Sequence, residues 1–206
     1  VSIKGNDIVI GNHFYYSPLN NLGLTIGGGG SNSPTSNLTV GDRCVFHNSH
    51  INICEPVIIG DDVGLSNYVD IITHGFWYSM LEGYPTEFAG VTIGNNVIVG
   101  WRSTIMAGVE ISDNVVIQDG AKIGLKGFGF IPIKEKNLRI PHIGKVILED
   151  NVEIGASCTI DRGSIGNTKI GKNTFLDNQV HLAHNVKIGK NCMIAGQVGF
   201  AGSSTI

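Results

Sequence analysis

The stretch VTIGNNVIVGWRSTIMAGVEISDNVVIQDGAKI, residues 91–123, decides the fold. In it Ile93, Val99, Ile105, Ile111, Ile117 and Ile123 recur at every sixth position without a slip. Val97, Ser103, Val109, Val115 and Ala121 fill a small or branched slot four residues after an aliphatic, and Gly94, Gly100 and Gly124 directly follow three of the aliphatics. A period of six is neither the 3.6 of a helix nor the 2 of a half-buried strand. It fits a solenoid of hexapeptides, each one short strand plus a corner, three of which close a triangular coil of about 18 residues. The aliphatic points at the coil axis, the small residue fits the corner, and Gly or Asn takes turn conformations that other residues resist.

The same beat extends in both directions. Upstream it runs Val40, Phe46, a one-residue slip, Ile53, Ile59, Leu65 and Ile71, then breaks at His74, where an insertion from Gly75 to Gly90 is expected to leave one corner as a loop. A second insertion covers about Leu125 to Pro141. The beat resumes at Leu148, Ile154 and Ile160, slips by four, and continues through Ile170, Leu176, Leu182, Ile188, Ile194, Phe200 and Ile206. Residues 1–37 keep only a loose beat around Gly27 to Gly30 and a Ser/Asn/Pro run, which predicts an irregular first coil with a loop. That Gly run lacks the Gly-Lys-Ser/Thr of a phosphate loop. The expectation is an all-β parallel β-helix of roughly nine coils, about 40 Å long at about 4.8 Å per strand. It divides into an irregular segment 1–37, a segment 38–117 and a segment 118–206 that continues the same prism. Flat Val/Ile faces and open coil ends need covering, and side-by-side packing as a homotrimer would bury the faces.

Composition narrows the function. Gly at 29 of 206 residues and charged residues at 15% suit a stacked Ile/Val solenoid. A net charge of -3 and a pI near 6.1 give no basic footprint for nucleic acid. No apolar run reaches the 18 or more residues of a membrane-spanning helix and no signal peptide opens the chain, so a cytoplasmic setting is expected. Cys44, Cys54, Cys158 and Cys192 lack C-x-x-C spacing and read as small buried side chains, and no metal-ligand spacing occurs. The start at Val1 and the stop at Ile206, where another hexapeptide is due, read as cut ends.

With no activated Ser or Cys nucleophile, the chemistry falls to histidine. His74 sits in Ile71-Ile-Thr-His-Gly75, where the repeat ends and a loop with Phe76, Trp77, Tyr78, Tyr84 and Phe88 begins. His184 lies in a polar coil seven residues after Asp177, which is expected to orient its ring from an adjoining corner. A neutral imidazole so held takes a proton from an incoming amine or hydroxyl. A loop histidine is as readily plain surface, and the aromatics as readily subunit packing.

Cys44-Val-Phe-His-Asn-Ser-His-Ile-Asn52, Ile71-Ile-Thr-His-Gly75 and residues 91–109 resemble the hexapeptide-repeat O-acetyltransferases of sugars and polysaccharides. The resemblance implies a left-handed β-helix, trimers, acetyl-CoA as donor substrate with no bound cofactor, and His74 as general base. It implies Asn48 and Trp77 at the acceptor, and Gly100, Ser103, Ala107 and Gly108 along the pantetheine groove. The usual closing Gly-Ala-Gly-Ser segment of that family is replaced by Gln118-Asp-Gly-Ala-Lys-Ile-Gly124.

From about residue 116 the chain is similar to the UDP-3-O-acylglucosamine N-acyltransferases of lipid A synthesis. The matching segments include Gly127-Phe-Gly-Phe130, Ile140-Pro-His-Ile-Gly-Lys145, Thr159-Ile-Asp-Arg-Gly163, Asp177-Asn-Gln179, Ala183-His-Asn-Val186 and residues 195–203. This resemblance implies an acyl-carrier-protein donor, a nucleotide-sugar amine acceptor near Phe128 and Phe130, and His184 as base aligned by Asp177. Two families joined in frame predict a chimera with a splice near residue 117. Acyl transfer from a thioester to a sugar hydroxyl or amine is the expected activity, with an engineered or truncated scaffold that catalyses nothing as the rival. His74, which keeps more of its surroundings, is expected to carry any residual CoA-dependent acetylation.

Overall fold

A computed structural model describes residues 2–4, 7–17, 23–28, 36–76 and 86–206. The fold is all-β, a left-handed parallel β-helix of triangular section, and no helix occurs among the described residues. One parallel sheet of nine strands and two of eight form its three faces. The nine rungs on one face match the number the periodicity predicts.

The central beat becomes register directly. Ile93 pairs with Ile111, Val99 with Ile117 and Ile105 with Ile123, each eighteen residues on. All six are at most 2% exposed, and the corner slots Val97, Ser103, Val109, Val115 and Ala121 are fully buried. The core is thus three parallel stacks of aliphatics, one per face, and each rung offers its neighbour an identical apolar step.

Two local expectations change. Ile53 is not the inward strand position upstream; Ile51 is, stacked between Ile26 and Ile71 on the strand His50–Asn52. Because that strand stays extended, Ile51 and Ile53 both face inward at a period of two, and both are buried. Asparagine takes several of the left-handed corners, as expected: Asn96, Asn114, Asn151, Asn173 and Asn191 have φ of 54 to 59°. Asn96 Nδ2 donates to Asn114 Oδ1 at 2.9 Å, and Asn173 Nδ2 to Asn191 Oδ1 at 2.8 Å. Gly94 serves a different need, since a Cβ there would lie 2.4 Å from Asp113 Oδ1 in the next coil. It is a close approach between rungs, and not a positive φ, that demands glycine there.

The faces differ. One presents the row His50, Asp70, Thr104, Lys122, Thr159 and His181, all polar. Another presents Tyr15, Val45, Gly64, Ile98, Val116, Glu153, Phe175 and Met193, an almost unbroken apolar stripe. The uniform Val/Ile faces expected from the sequence therefore reduce to one.

The three departures after Ile71, Ile123 and Ile160 leave along a single edge, the one that follows the polar face. The stack Ile71, Ile105, Ile123, Ile160 and Leu182 runs beside it. After Ile71 comes an antiparallel hairpin of His74–Phe76 with Thr86–Phe88; Trp77, Tyr78 and Tyr84 lie outside the described residues, and so does the expected packing of these aromatics between subunits. After Ile123 comes a second hairpin, Phe130–Ile133 with Lys136–Arg139. After Ile160 comes the short detour of Arg162 to Gly166, the slip by four. The sheets run through residue 117 without interruption, with Val116 paired to Glu153 and Glu110 to Ile147.

Candidate active site

His74 and His184 lie on this same edge, four rungs apart, which at about 4.8 Å per rung separates them by about 19 Å along the prism. At His74 the ring Nδ1 meets Asn52 Oδ1 at 3.0 Å. The Cys54 backbone N–H donates to the same oxygen at 3.3 Å and the Thr73 hydroxyl at 2.6 Å. A backbone N–H only donates, so that atom is the amide oxygen and His74 must offer Nδ1–H to it. The neutral ring then carries its lone pair on Nε2, the form of a general base. Phe88 of the hairpin stacks on the ring with centroids 5.6 Å apart and planes 15° from parallel.

His184 is held by the same logic with different residues. Its Nδ1 meets Asn185 Oδ1 at 3.0 Å, and that oxygen accepts the Ser164 backbone N–H at 2.9 Å and the Ser164 hydroxyl at 2.7 Å. Nε2 is again the basic nitrogen. Glycines wall the ring: a Cβ on Gly202 would lie 2.7 Å from His184 Nε2, and one on Gly127 2.7 Å from His184 Cβ. His142 stands edge-on, ring centroids 5.1 Å away, only 5% exposed, and its Nε2 has no hydrogen-bond partner among the described residues. Burial, reinforced by the neighbouring His184, holds the His142 imidazole below the ordinary histidine range.

Asp177 does not orient His184 within the chain. It sits one corner earlier in the coil, where its Oδ2 accepts the Gly196 N–H at 3.1 Å and where it lines a groove of about 490 Å³ with Gln118, Glu153, Phe175 and Met193. Seven residues span a whole face of a triangular coil, so the two side chains fall at different corners. The buried carboxylate of the rung below is Asp161, 6% exposed and in register one residue before the level of His184. Burial pushes Asp161 up to about 6, and His181 and His184 pull the other way.

That shift has a stability consequence. A folded value near 6 against an ordinary value near 4 means that the native state binds this proton more tightly than the unfolded chain does. Stability is therefore lost as pH rises from about 4 to 6, by at most about 3 kcal/mol, and the cost persists above. Asp161→Asn is expected to be more stable than the parent in urea unfolding at pH 8 and equal to it at pH 4. Equal midpoints at pH 8 would refute the assignment.

The other nominated residues scatter. Asn48 is 4% exposed, accepts the Tyr16 hydroxyl at 3.3 Å, and lies at the corner before the polar face, so Asn52 occupies the place beside His74 expected of it. Phe128 is 80% exposed and packs edge-on against Phe130 at 4.9 Å, next to the glycines that wall His142 and His184. Arg139 stacks over Phe130 at 4.4 Å and donates to the Gly127 carbonyl at 3.0 Å, tying the second hairpin to that wall. Gly100 and Ser103 lie before the polar face and Ala107 and Gly108 after it, all four buried, so within the chain they do not form one groove.

Sequence reasoning missed Asn52, Asn185, Asp161 and a buried cross-link. Arg162, with 1% of its side chain exposed, ion-pairs with Glu87 of the first hairpin at 2.5 Å. It also donates to the carbonyls of Ala107 and Gly124. Burial raises Glu87 and lowers Arg162, and each opposes that shift in the other. The available signal was positional: Asp161 and Arg162 open the slip by four.

A three-sided coil of six-residue repeats, with hairpins and candidate bases gathered on one edge, defines a hexapeptide-repeat β-helix. The family model for the hexapeptide repeat of succinyl-transferase matches residues 90–124, and that for bacterial transferase hexapeptide (six repeats) matches residues 167–202. The chain is similar to UDP-3-O-acylglucosamine N-acyltransferase 1 of Gloeobacter violaceus, 42% identical over 99 residues, which cover 48% of this chain and 28% of that protein. With the UDP-3-O-acylglucosamine N-acyltransferase of Agrobacterium fabrum it shares 48% identity over 106 residues, 52% of this chain and 29% of that protein. The chain thus spans less than a third of the length of these curated relatives. The structure of UDP-N-acetylglucosamine acyltransferase from Campylobacter jejuni shares the fold, with a TM-score of 0.64 at 18% identity over 96% of this chain and 64% of that one. No helix among the described residues is long and apolar enough to cross a membrane.

Proposed function

We propose that this chain transfers an acyl group from a CoA or carrier-protein thioester to the amine of a nucleotide sugar by direct attack, with His184 as general base. The observation that carries this reading is the pinned tautomer: Ser164 fixes the Asn185 amide, Asn185 takes Nδ1–H, and Nε2 is left to accept a proton. The amine nitrogen attacks the thioester carbonyl carbon while Nε2 takes its proton. The tetrahedral oxyanion then collapses, the C–S bond breaks, and the imidazolium returns the proton to the departing thiolate. The relatives named as N-acyltransferases of UDP-3-O-acylglucosamine support the amine and the sugar nucleotide. The apolar stripe through Ile98, Phe175 and Met193 supports burial of that face in a homotrimer.

A second reading rests on His74. Its pinned Nδ1 makes it an equally good base, which suits the sugar-hydroxyl acetylation expected from residues 38–117. What favours His184 is the buried Asp161 one rung below it, whereas Glu87, the carboxylate on the hairpin beside His74, is taken up by Arg162.

The experiment is turnover of acetyl-CoA and of hydroxyacyl carrier protein against UDP-3-O-acylglucosamine and a panel of sugar hydroxyl acceptors, with sedimentation of the same sample. N-acylation supports the proposal and O-acetylation the second reading. Silence across the panel supports the scaffold, and a monomer at micromolar concentration removes the trimer.

A further inference from the structure

We propose that Asp161 is a positioning residue for this reaction: it supplies the negative charge against which His184 carries the proton it takes from the acceptor. The inference rests on His184 being the base. Ile160 pairs with Leu182, so Asp161 lies one rung beneath Ala183, the residue that precedes His184. It is 6% exposed, and a carboxylate so deep is costly unless a cation faces it. The chain supplies a cation next door and turns it away. Arg162 commits its guanidinium to Glu87 and to the carbonyls of Ala107 and Gly124. The charges acting on Asp161 are His181 and His184. His181 shares its Nδ1 with the Thr159 hydroxyl at 2.8 Å, and His142 stands behind His184.

This arrangement wastes free energy in the resting site and recovers it during turnover. While His184 is neutral, Asp161 is a poorly compensated buried carboxylate. When Nε2 takes the acceptor's proton, the ring becomes a cation with Nδ1–H still on Asn185, and Asp161 stabilises it for as long as the tetrahedral intermediate lasts. Asn185 contributes orientation but no charge. Asp177, the carboxylate nearest in sequence spacing, is engaged with Gly196 at another corner.

The test has two arms. In steady-state kinetics with the productive donor and acceptor, Asp161→Asn is expected to lower kcat about tenfold to 100-fold with KM unchanged, and Asp161→Glu to recover part of the loss. An unchanged kcat overturns the proposal, as does a loss confined to KM. Separately, the Asp161 carboxyl is followed by carbon NMR as pH is raised, in the parent and in His184→Gln. Its titration is expected to move to higher pH once the imidazole is gone, and an unmoved titration also overturns the proposal. If the parent turns nothing over, the reading of His184 as base falls, and the NMR arm alone decides whether Asp161 and His184 are electrostatically paired.

Discussion

His184→Ala is expected to lower kcat for amine acylation by about 100-fold to 10,000-fold, the usual contribution of a positioned general base. Among the described residues, neither neighbouring histidine is placed to replace it. His142 packs its Nε2 against Gly127, and a backbone bond at Ile140 engages its ring. His181 faces Thr159 on the polar face. Because His184 is only partly buried and lies outside the apolar core, the variant should unfold much like the parent, so the loss is one of chemistry. His74→Ala, about 19 Å along the same edge by rung count, should cost far less with the same substrates. If instead His74→Ala abolishes turnover and that turnover consumes acetyl-CoA, the base is the first histidine and the acceptor a hydroxyl. Parallel pH profiles sharpen the contrast, since loss of the base removes the limb on which rate rises with pH.

Arg162→Met is expected to destabilise the fold by about 3 to 5 kcal/mol, read as a fall of about 10 °C or more in thermal unfolding. The substitution keeps most of the apolar volume but strands Glu87, whose carboxyl burial already pushes upward, and removes the donors that serve Ala107 and Gly124. A surface ion pair would be worth under about 1 kcal/mol; this one is not at the surface. Replacing both partners, Glu87→Met with Arg162→Met, should recover much of the loss, because an apolar pair of similar volume leaves no buried charge. A single variant that melts within a degree of the parent would show that the pair carries no stability. Hydrogen exchange should place the damage in Thr86–Phe88, and with it the stacking of Phe88 on His74.

The fold was readable because its core repeats within a few residues. Ile93, Val99 and Ile105 each state the rule that Ile111, Ile117 and Ile123 obey, so one short window contains the whole cross-section. Where the rule bent, as at Ile51 and Ile53, a single strand held extended for one more residue was enough to mislead the count. The histidines were readable as loop-edge oddities. Their partners were not, because they lie on other rungs or in a detour: Asn52 is 22 residues from His74, Ser164 is 21 from Asn185, and Glu87 is 75 from Arg162. Adjacency in a solenoid is set by how many residues each insertion adds, and a spacing of seven, as between Asp177 and His184, crosses a corner without bringing side chains together. Asp161 and Arg162 illustrate the limit, being consecutive in sequence and committed to opposite neighbours.

The gathering of both hairpins, the detour and both histidines on one edge makes the molecule a ruler. Removing or adding one eighteen-residue turn between Ile105 and Ile123 would slide His184 relative to His74 by a single graduation of about 4.8 Å, without rotating either off its line. The separation between the two catalytic candidates is therefore quantised. A substrate arm longer or shorter than the present interval could be matched by changing the number of turns, while each pocket, built from its own few rungs, stayed as it is.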